Sequence, residues 1–158
     1  MENQNVIAGL KKAWNETRSK PDGNLRFSAL FGKLVPYSST IEPLVVHLEP
    51  GHARIQMQDR ELVRNHLNSV HAVALMNLGE MTSGLALAYS LPDDGRSILT
   101  NLSMEYLKKA RGTLTAECRF AVPEFAEPST HVLEVPIRDE AGEVVAKATA
   151  TWLVDRKA

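Results

Sequence analysis

Residues 64–91 read RNHLNSVHAVALMNLGEMTSGLALAYSL. From Val70 to Leu91 the run is apolar, broken mainly by His71, Asn77, Glu80, Thr82 and Ser83. A stretch of this length invites a membrane-spanning reading. A carboxylate near its middle would cost a few kcal/mol in a bilayer, so a buried helix is the better assignment. Asn68 or Ser69 is placed to cap its first turn, and Pro92-Asp93-Asp94-Gly95 ends it with turn chemistry. A helix apolar on nearly every side needs cover on nearly every side, and the flanking sequence supplies it as strands.

Before the helix, Ile41 to Glu49 reads as a strand, Pro50-Gly51 as a turn, and His52 to Met57 as the returning strand with Ala53, Ile55 and Met57 alternating. Polar sequence, QDRELVRNHLN, then leads into the helix. After it come strands at Ser97 to Lys108, Thr113 to Val122, Thr130 to Arg138 and Glu143 to Val154, the last two joined by Asp139-Glu140-Ala141-Gly142. No helix lies between these four, which excludes a doubly wound parallel sheet. Farther out, Val6, Ile7, Leu10 and Trp14 form a helical stripe that Pro21-Asp22-Gly23 stops. Leu25 to Leu34 forms a second short helix with Phe27, Leu30, Phe31 and Leu34 on one side. That side either packs on the domain or covers a ligand. The reading is one α+β domain over residues 1–158, with an N-terminal helical segment at 1–36 and a core at 37–158. An open sheet has edges that need protection, and the helix needs burial, so both point to a dimer.

The 158 residues carry 18 Lys and Arg against 19 Asp and Glu, a net charge of −1. That balance excludes nucleic-acid binding by bulk electrostatics. The single cysteine, Cys118, cannot form an internal disulfide and fits a reducing compartment, here the cytoplasm. It reads as inert packing on an apolar strand face. The N-terminal sequence lacks a signal-peptide pattern. His66 and His71 are five positions apart, which suits neither one helical face nor a CxxC-like site, so neither metal nor cofactor is expected.

Chemistry gathers on the apolar helix. Asn65, His66, Asn68 and His71 cluster at its entrance, where first-turn amides lack intrahelical acceptors and the dipole is positive. Glu80 lies inside the apolar run. Amide donors can hold an oxyanion, and a carboxylate among apolar neighbours such as Leu78 and Met81 has a raised pKa and can activate water. His71 and Glu80 are nine positions apart. At about 100° and 1.5 Å per residue they face opposite ways, roughly 13 Å apart along the axis. Two antiparallel helices related by a twofold can bring them to one reacting carbon, so a site shared between subunits is expected.

At these residues the sequence is similar to the hotdog-fold acyl-CoA thioesterases of the phenylacetate-degradation and hydroxybenzoyl-CoA type. That family's pattern is N-x-x-G-x-[VI]-H-G-G-x-x-x-x-[LI]-[AG]-[DE]. Asn65, Val70, His71, Leu78 and Glu80 fall on matching positions, with Asn68 in place of the first glycine and Ala72-Val73 in place of the pair. The stretch from Leu99 to Ala110 resembles the family's strand ending in aromatic-Leu-Arg-Pro-Ala. The resemblance spans most of the chain after Ile41.

The resemblance implies a hotdog fold, in which a curved antiparallel sheet wraps a long central helix, here with an extra N-terminal helical segment. It implies acyl-CoA hydrolysis in a homodimer, often paired into a homotetramer, without membrane insertion. Glu80 would be the catalytic carboxylate, the Ala72 and Val73 amides would hold the thioester oxygen, and Asn65 and His71 of the other subunit would orient thioester or water. Leu99 takes the position of a second polar group, or Thr100 on a register slip of one. Asn68 is a further candidate contact, and Lys108, Lys109 and Arg111 are candidates for the phosphates of coenzyme A. A non-catalytic acyl-CoA or fatty-acyl binding protein is the alternative.

Overall fold

The computed structural model describes residues 6–156, and both ends of the domain read from the sequence, residues 1–5 and 157–158, lie outside the described residues. The central element, α4, runs Ala72–Ser90. Around it a six-stranded antiparallel sheet is built from β1 Leu44–Glu49, β2 His52–Met57, β3 Gly95–Tyr106, β4 Leu114–Arg119, β5 Ser129–Arg138 and β6 Val144–Arg156. Strand order is β1-β2-β4-β5-β6-β3, and α4 touches every strand. This is the α+β hotdog arrangement.

The sheet closes on α4 because the strand positions facing it are apolar and often small. Ala53, Ile55, Cys118, Ala116, Val135, Ile137, Ala146, Ala148 and Ala150 are all buried. Alternation at period two puts them on one face. The approach is closest at Gly79, where an added Cβ would stand 2.6 Å from the Ala148 Cβ. That methyl sits directly on a strand backbone and cannot swing aside. Replacing glycine in a helix gains about 1 kcal/mol, whereas forcing volume into a packed core costs about 1–3 kcal/mol. The rigid neighbour puts this site at the upper end, so Gly79→Ala should lower unfolding free energy by about 2 kcal/mol net. Urea denaturation measures it, and an unchanged or higher midpoint would show that the helix is free to move off β6.

Three helices precede the sheet: α1 Val6–Thr17, α2 Gly23–Leu34 and α3 Pro36–Ser39. Ile7, Leu10 and Trp14 of the first stripe are buried, and Trp14 meets Phe27 edge-on at 5.1 Å. The stripe assigned to α2 is only half used. Phe27 is buried and Phe31 packs against the core, but Leu30 and Leu34 remain about half exposed. Ser28 Oγ accepts the Val45 amide at 2.9 Å, so α2 covers part of β1, an edge strand. At the opposite edge, β3 has no strand beyond it among the described residues.

Several boundaries differ from the sequence reading for local reasons. The first strand begins at Leu44, not Ile41, because Glu42 takes a positive φ of 48° and Pro43 follows it. The helix starts at Ala72 under a His71 cap, where Asn68 or Ser69 was expected. Asn68 instead occupies the left-handed region at φ 54°, which asparagine tolerates better than most residues. The polar lead-in holds a single 3-10 turn, Glu61–Val63, and Pro36 starts the unanticipated α3 at a position that suits proline. Among the described residues no helix is long and apolar enough to cross a membrane.

Candidate active site

The polar residues inside α4 separate cleanly by their partners. His71 Nδ1 accepts the Val73 amide at 3.0 Å. Asn77 Nδ2 donates to the Tyr37 carbonyl at 3.3 Å and pins α3 to α4. Thr82 Oγ1 donates to the Leu78 carbonyl at 2.7 Å. Ser83 Oγ donates to the Glu80 carbonyl at 2.9 Å and accepts Trp152 Nε1 at 3.1 Å. The Glu80 carboxylate alone among them has neither hydrogen bond nor ion pair among the described residues. It is half-buried, and burial raises its pKa above the ordinary glutamate value. A desolvated carboxylate with no partner is a stronger base than a solvated one and is expensive to keep.

Glu80 opens into a cavity of about 510 Å³. Its walls are Met81, Gly84, Leu85 and Ala88 of α4, Ile7 and Leu10 of α1, and Phe31 and Leu34 of α2, with Trp152 and Arg96 from the sheet. A Cβ at Gly84 would stand 3.0 Å from the Trp152 ring. Glycine one turn after Glu80 therefore keeps the indole close while leaving the carboxylate exposed to the hollow. The size falls within the range of small-ligand sites, and the lining is mainly apolar with few polar groups. Of these N-terminal lining residues, Phe31 and Leu34 belong to the side of α2 read from the sequence as packing on the domain or covering a ligand, and Ile7 and Leu10 were not assigned to a site. Their only signal was the apolar stripe on α1 and α2, which is equally what packing requires.

Burial has a thermodynamic consequence. The folded chain binds the Glu80 proton more tightly than the unfolded chain. Wild-type stability therefore declines as pH rises from the ordinary glutamate range through the raised value, and Glu80→Gln is spared that decline. The stability advantage of Glu80→Gln should be absent at acid pH, grow through that window and then level. Chemical denaturation of both proteins across pH measures it, and a constant difference would show that the carboxyl is as well solvated as in the unfolded chain.

The other sequence-derived residues lie elsewhere. His71 borders a smaller hollow of about 220 Å³ with Val73, Asn77 and Tyr37. α3 contributes to the walls of both hollows, through Ser38 to the larger and Tyr37 to the smaller. Within one chain the structure does not place His71 and Glu80 in one cavity. The Val73 amide is spent on the His71 cap, while the Ala72 amide has no acceptor among the described residues. Asn65 Oδ1 accepts the Leu67 amide at 3.0 Å, the Ser69 amide at 3.3 Å and the Ser69 hydroxyl at 3.2 Å, so it shapes the entrance loop. Exposed Asn68 and Leu67 give their carbonyls to Arg111, at 3.1 and 3.4 Å. Lys108 is held by Asp139 at 3.0 Å and by Glu143. Lys109 is exposed and has no partner among the described residues.

Thr100 sits where the β3–β6 register shifts, between Leu99 and Asn101. Its hydroxyl donates to the Thr151 carbonyl at 3.1 Å, and the residue is exposed and outside the Glu80 cavity. The half-buried Leu99 is the one that packs toward the core. Cys118 is fully buried, and burial pushes its thiol up to about 12, which keeps it protonated and unreactive.

Comparison with known proteins is consistent with this arrangement. A structural-genomics protein, APC5556, shares 29% identity at a TM-score of 0.83, over 94% of this chain and 99% of that one. A Pseudomonas aeruginosa protein of unknown function, described as a probable thioesterase, shares 23% identity at a TM-score of 0.76, over 82% of this chain and 93% of that one. A variant of the Staphylococcus aureus thioesterase SAV0944 shares 20% identity at a TM-score of 0.68, over 76% and 98%. At those identities the last two speak for the fold. No functionally curated protein matches the sequence. Residues 23–154 match the family described as a domain of unknown function, DUF4442, and the chain belongs to that family.

Proposed function

We propose that the protein is an acyl-CoA thioesterase acting in the cytoplasm as a homodimer that can pair into a dimer of dimers. The observation that carries this reading is the unpartnered Glu80 carboxylate on the wall of a largely apolar cavity. An acyl chain would lie among Leu10, Phe31, Leu85 and Trp152. Ionised Glu80 would take a proton from water as the water oxygen attacks the thioester carbon. The carbon–sulfur bond then breaks, and the proton held by Glu80 passes to the departing thiolate, giving a free acid and coenzyme A.

The carbonyl oxygen needs donors, and the first-turn amides of α4 do not line the Glu80 cavity of their own chain. The free Ala72 amide, with Val73 if its cap opens, would serve from the partner subunit, together with His71 of the partner subunit. Asn65 would act by holding the entrance loop. Lys109, which has no partner among the described residues, would meet the phosphates of coenzyme A, with Lys108 and Arg111 beside it in sequence and Asn68 at the loop surface. The outward-facing Ile98 and Leu153 and the unpaired β3 edge favour self-association. Residues 1–36 would belong to the same domain as the core at 37–158.

The engaged Val73 amide favours a second reading, an acyl-CoA or fatty-acyl binding protein without turnover. A panel of short, medium, long and aryl acyl-CoAs with thiol trapping decides between them. Release of free thiol is expected. Saturable binding with no thiol release from any member would favour the binding protein. Mixing Glu80→Ala with His71→Ala subunits should restore part of the activity that each homodimer lacks, and no restoration would place the whole site in one subunit.

A further inference from the structure

Away from the Glu80 cavity, the tip of the β1–β2 hairpin gathers His47, Glu49 and His52. Glu49 and His52 are cross-strand partners flanking the Pro50-Gly51 turn, and His47 lies two positions before Glu49 on the same face. Glu49 Oε1 is 3.3 Å from His47 Nε2 and 3.3 Å from His52 Nδ1. The three ligand atoms all lie within 4.8 Å of one another. We propose that this cluster is a divalent transition-metal site, suited to zinc, with His47 Nε2, Glu49 and His52 Nδ1 as ligands and water completing a tetrahedron.

Four features of the geometry point the same way. With zinc–nitrogen and zinc–oxygen bonds of about 2.0–2.2 Å, adjacent ligand atoms of a tetrahedron stand roughly 3.3–3.5 Å apart, which is where Glu49 stands from each imidazole. His47 Nε2 is a buried atom with no hydrogen bond, since its contact with Glu49 is poorly directed. His52 Nε2 lies 2.7 Å from Glu117 Oε1, and Arg119 holds that same carboxylate at 2.9 Å. A proton on Nε2 directed at Glu117 leaves the Nδ1 lone pair facing the Glu49 carboxylate. A proton on that nitrogen or a metal ion between it and the carboxylate relieves the repulsion, and only the metal also engages His47 Nε2. A carboxylate behind the second ring nitrogen is also the usual way a metal-bound histidine is oriented. The mixed nitrogen and oxygen donor set suits zinc better than the hard cations, which prefer oxygen alone.

The test uses tag-free, chelator-stripped full-length protein with zinc chloride in a calorimeter, and with cobalt(II) as an optical probe of tetrahedral geometry. One equivalent should bind, with a tetrahedral cobalt spectrum and a melting temperature that rises with zinc concentration. His47→Ala and His52→Ala should abolish all three signals. Glu117→Gln keeps every ligand, so it should still bind one equivalent but about 10–100-fold more weakly. His66→Ala, in the exposed entrance loop, should bind like wild type. Wild-type protein that takes up no zinc would overturn the site, as would binding that survives both hairpin substitutions or is lost with His66.

Discussion

Glu80→Ala and Glu80→Gln are both expected to lower kcat for acyl-CoA hydrolysis by about 10²–10⁴-fold, the range that a positioned general base contributes. Substrate affinity should change little, because the acyl chain is held by the apolar walls and the carboxylate acts on water. Glutamine keeps the shape of the side chain, so its loss of activity can be assigned to basicity. In the wild type, kcat should rise with pH through the raised Glu80 pKa, since only the ionised form accepts a proton. Stability should fall as pH rises from the ordinary glutamate range up to that raised pKa, because the two effects have one cause. An enzyme whose turnover survives Glu80→Gln within a few-fold would move the chemistry to another residue.

The second large effect is expected at Phe27, which is 1% exposed and bridges Trp14 of α1 and Phe31 of α2. Phe27→Ala removes the ring that joins the two N-terminal helices, and such truncations cost about 3–5 kcal/mol. That is a large part of the total stability of a domain this size. Phe27 does not itself line the Glu80 cavity, whereas Ile7, Leu10 and Phe31, which depend on it, do. The variant therefore separates packing from covering. If α1 and α2 form a wall of the acyl site, KM for longer chains should rise more than KM for short ones, while kcat is retained under conditions where the variant stays folded. A stability loss below about 1 kcal/mol would show that the helices are held from elsewhere, and an unchanged KM profile would mean that they only pack. Urea unfolding and a chain-length series supply both numbers.

The parts of the fold legible in the sequence are those set by short-range chemistry. An apolar run of helix length, interrupted by single polar residues, identified α4. Pro50-Gly51 and the Asp139 to Gly142 turn identified the hairpins, because those turns demand such residues. Asn68 stands where the family pattern has glycine, and it takes the left-handed conformation such a position requires, at φ 54°. What the sequence did not show was set by docking between elements. Nothing local says that His71 turns its ring back to cap Val73, or that Asn77 reaches the Tyr37 carbonyl. The stripes on α1 and α2 were visible, but whether they met the core or a hollow depended on where Pro36 turned the chain. Gly84 is informative only once Trp152 is seen against it. The hairpin cluster had a signal in the segment HLEPGH, residues 47–52, yet reading it as strand and turn left its shared face unexamined.

Glu80 is therefore the residue on which the functional reading depends, and its place relative to a bound thioester can be observed. A crystal structure with a non-hydrolysable thioether analogue of a medium-chain acyl-CoA tests this most directly. The acyl chain is expected in the cavity between α2, α4 and Trp152, with the carbon that replaces the carbonyl within one water of the Glu80 carboxylate and beside the Ala72 amide of the partner subunit. An analogue seated with that carbon more than about 10 Å from Glu80, beyond the reach of a carboxylate and one water, would contradict a catalytic Glu80.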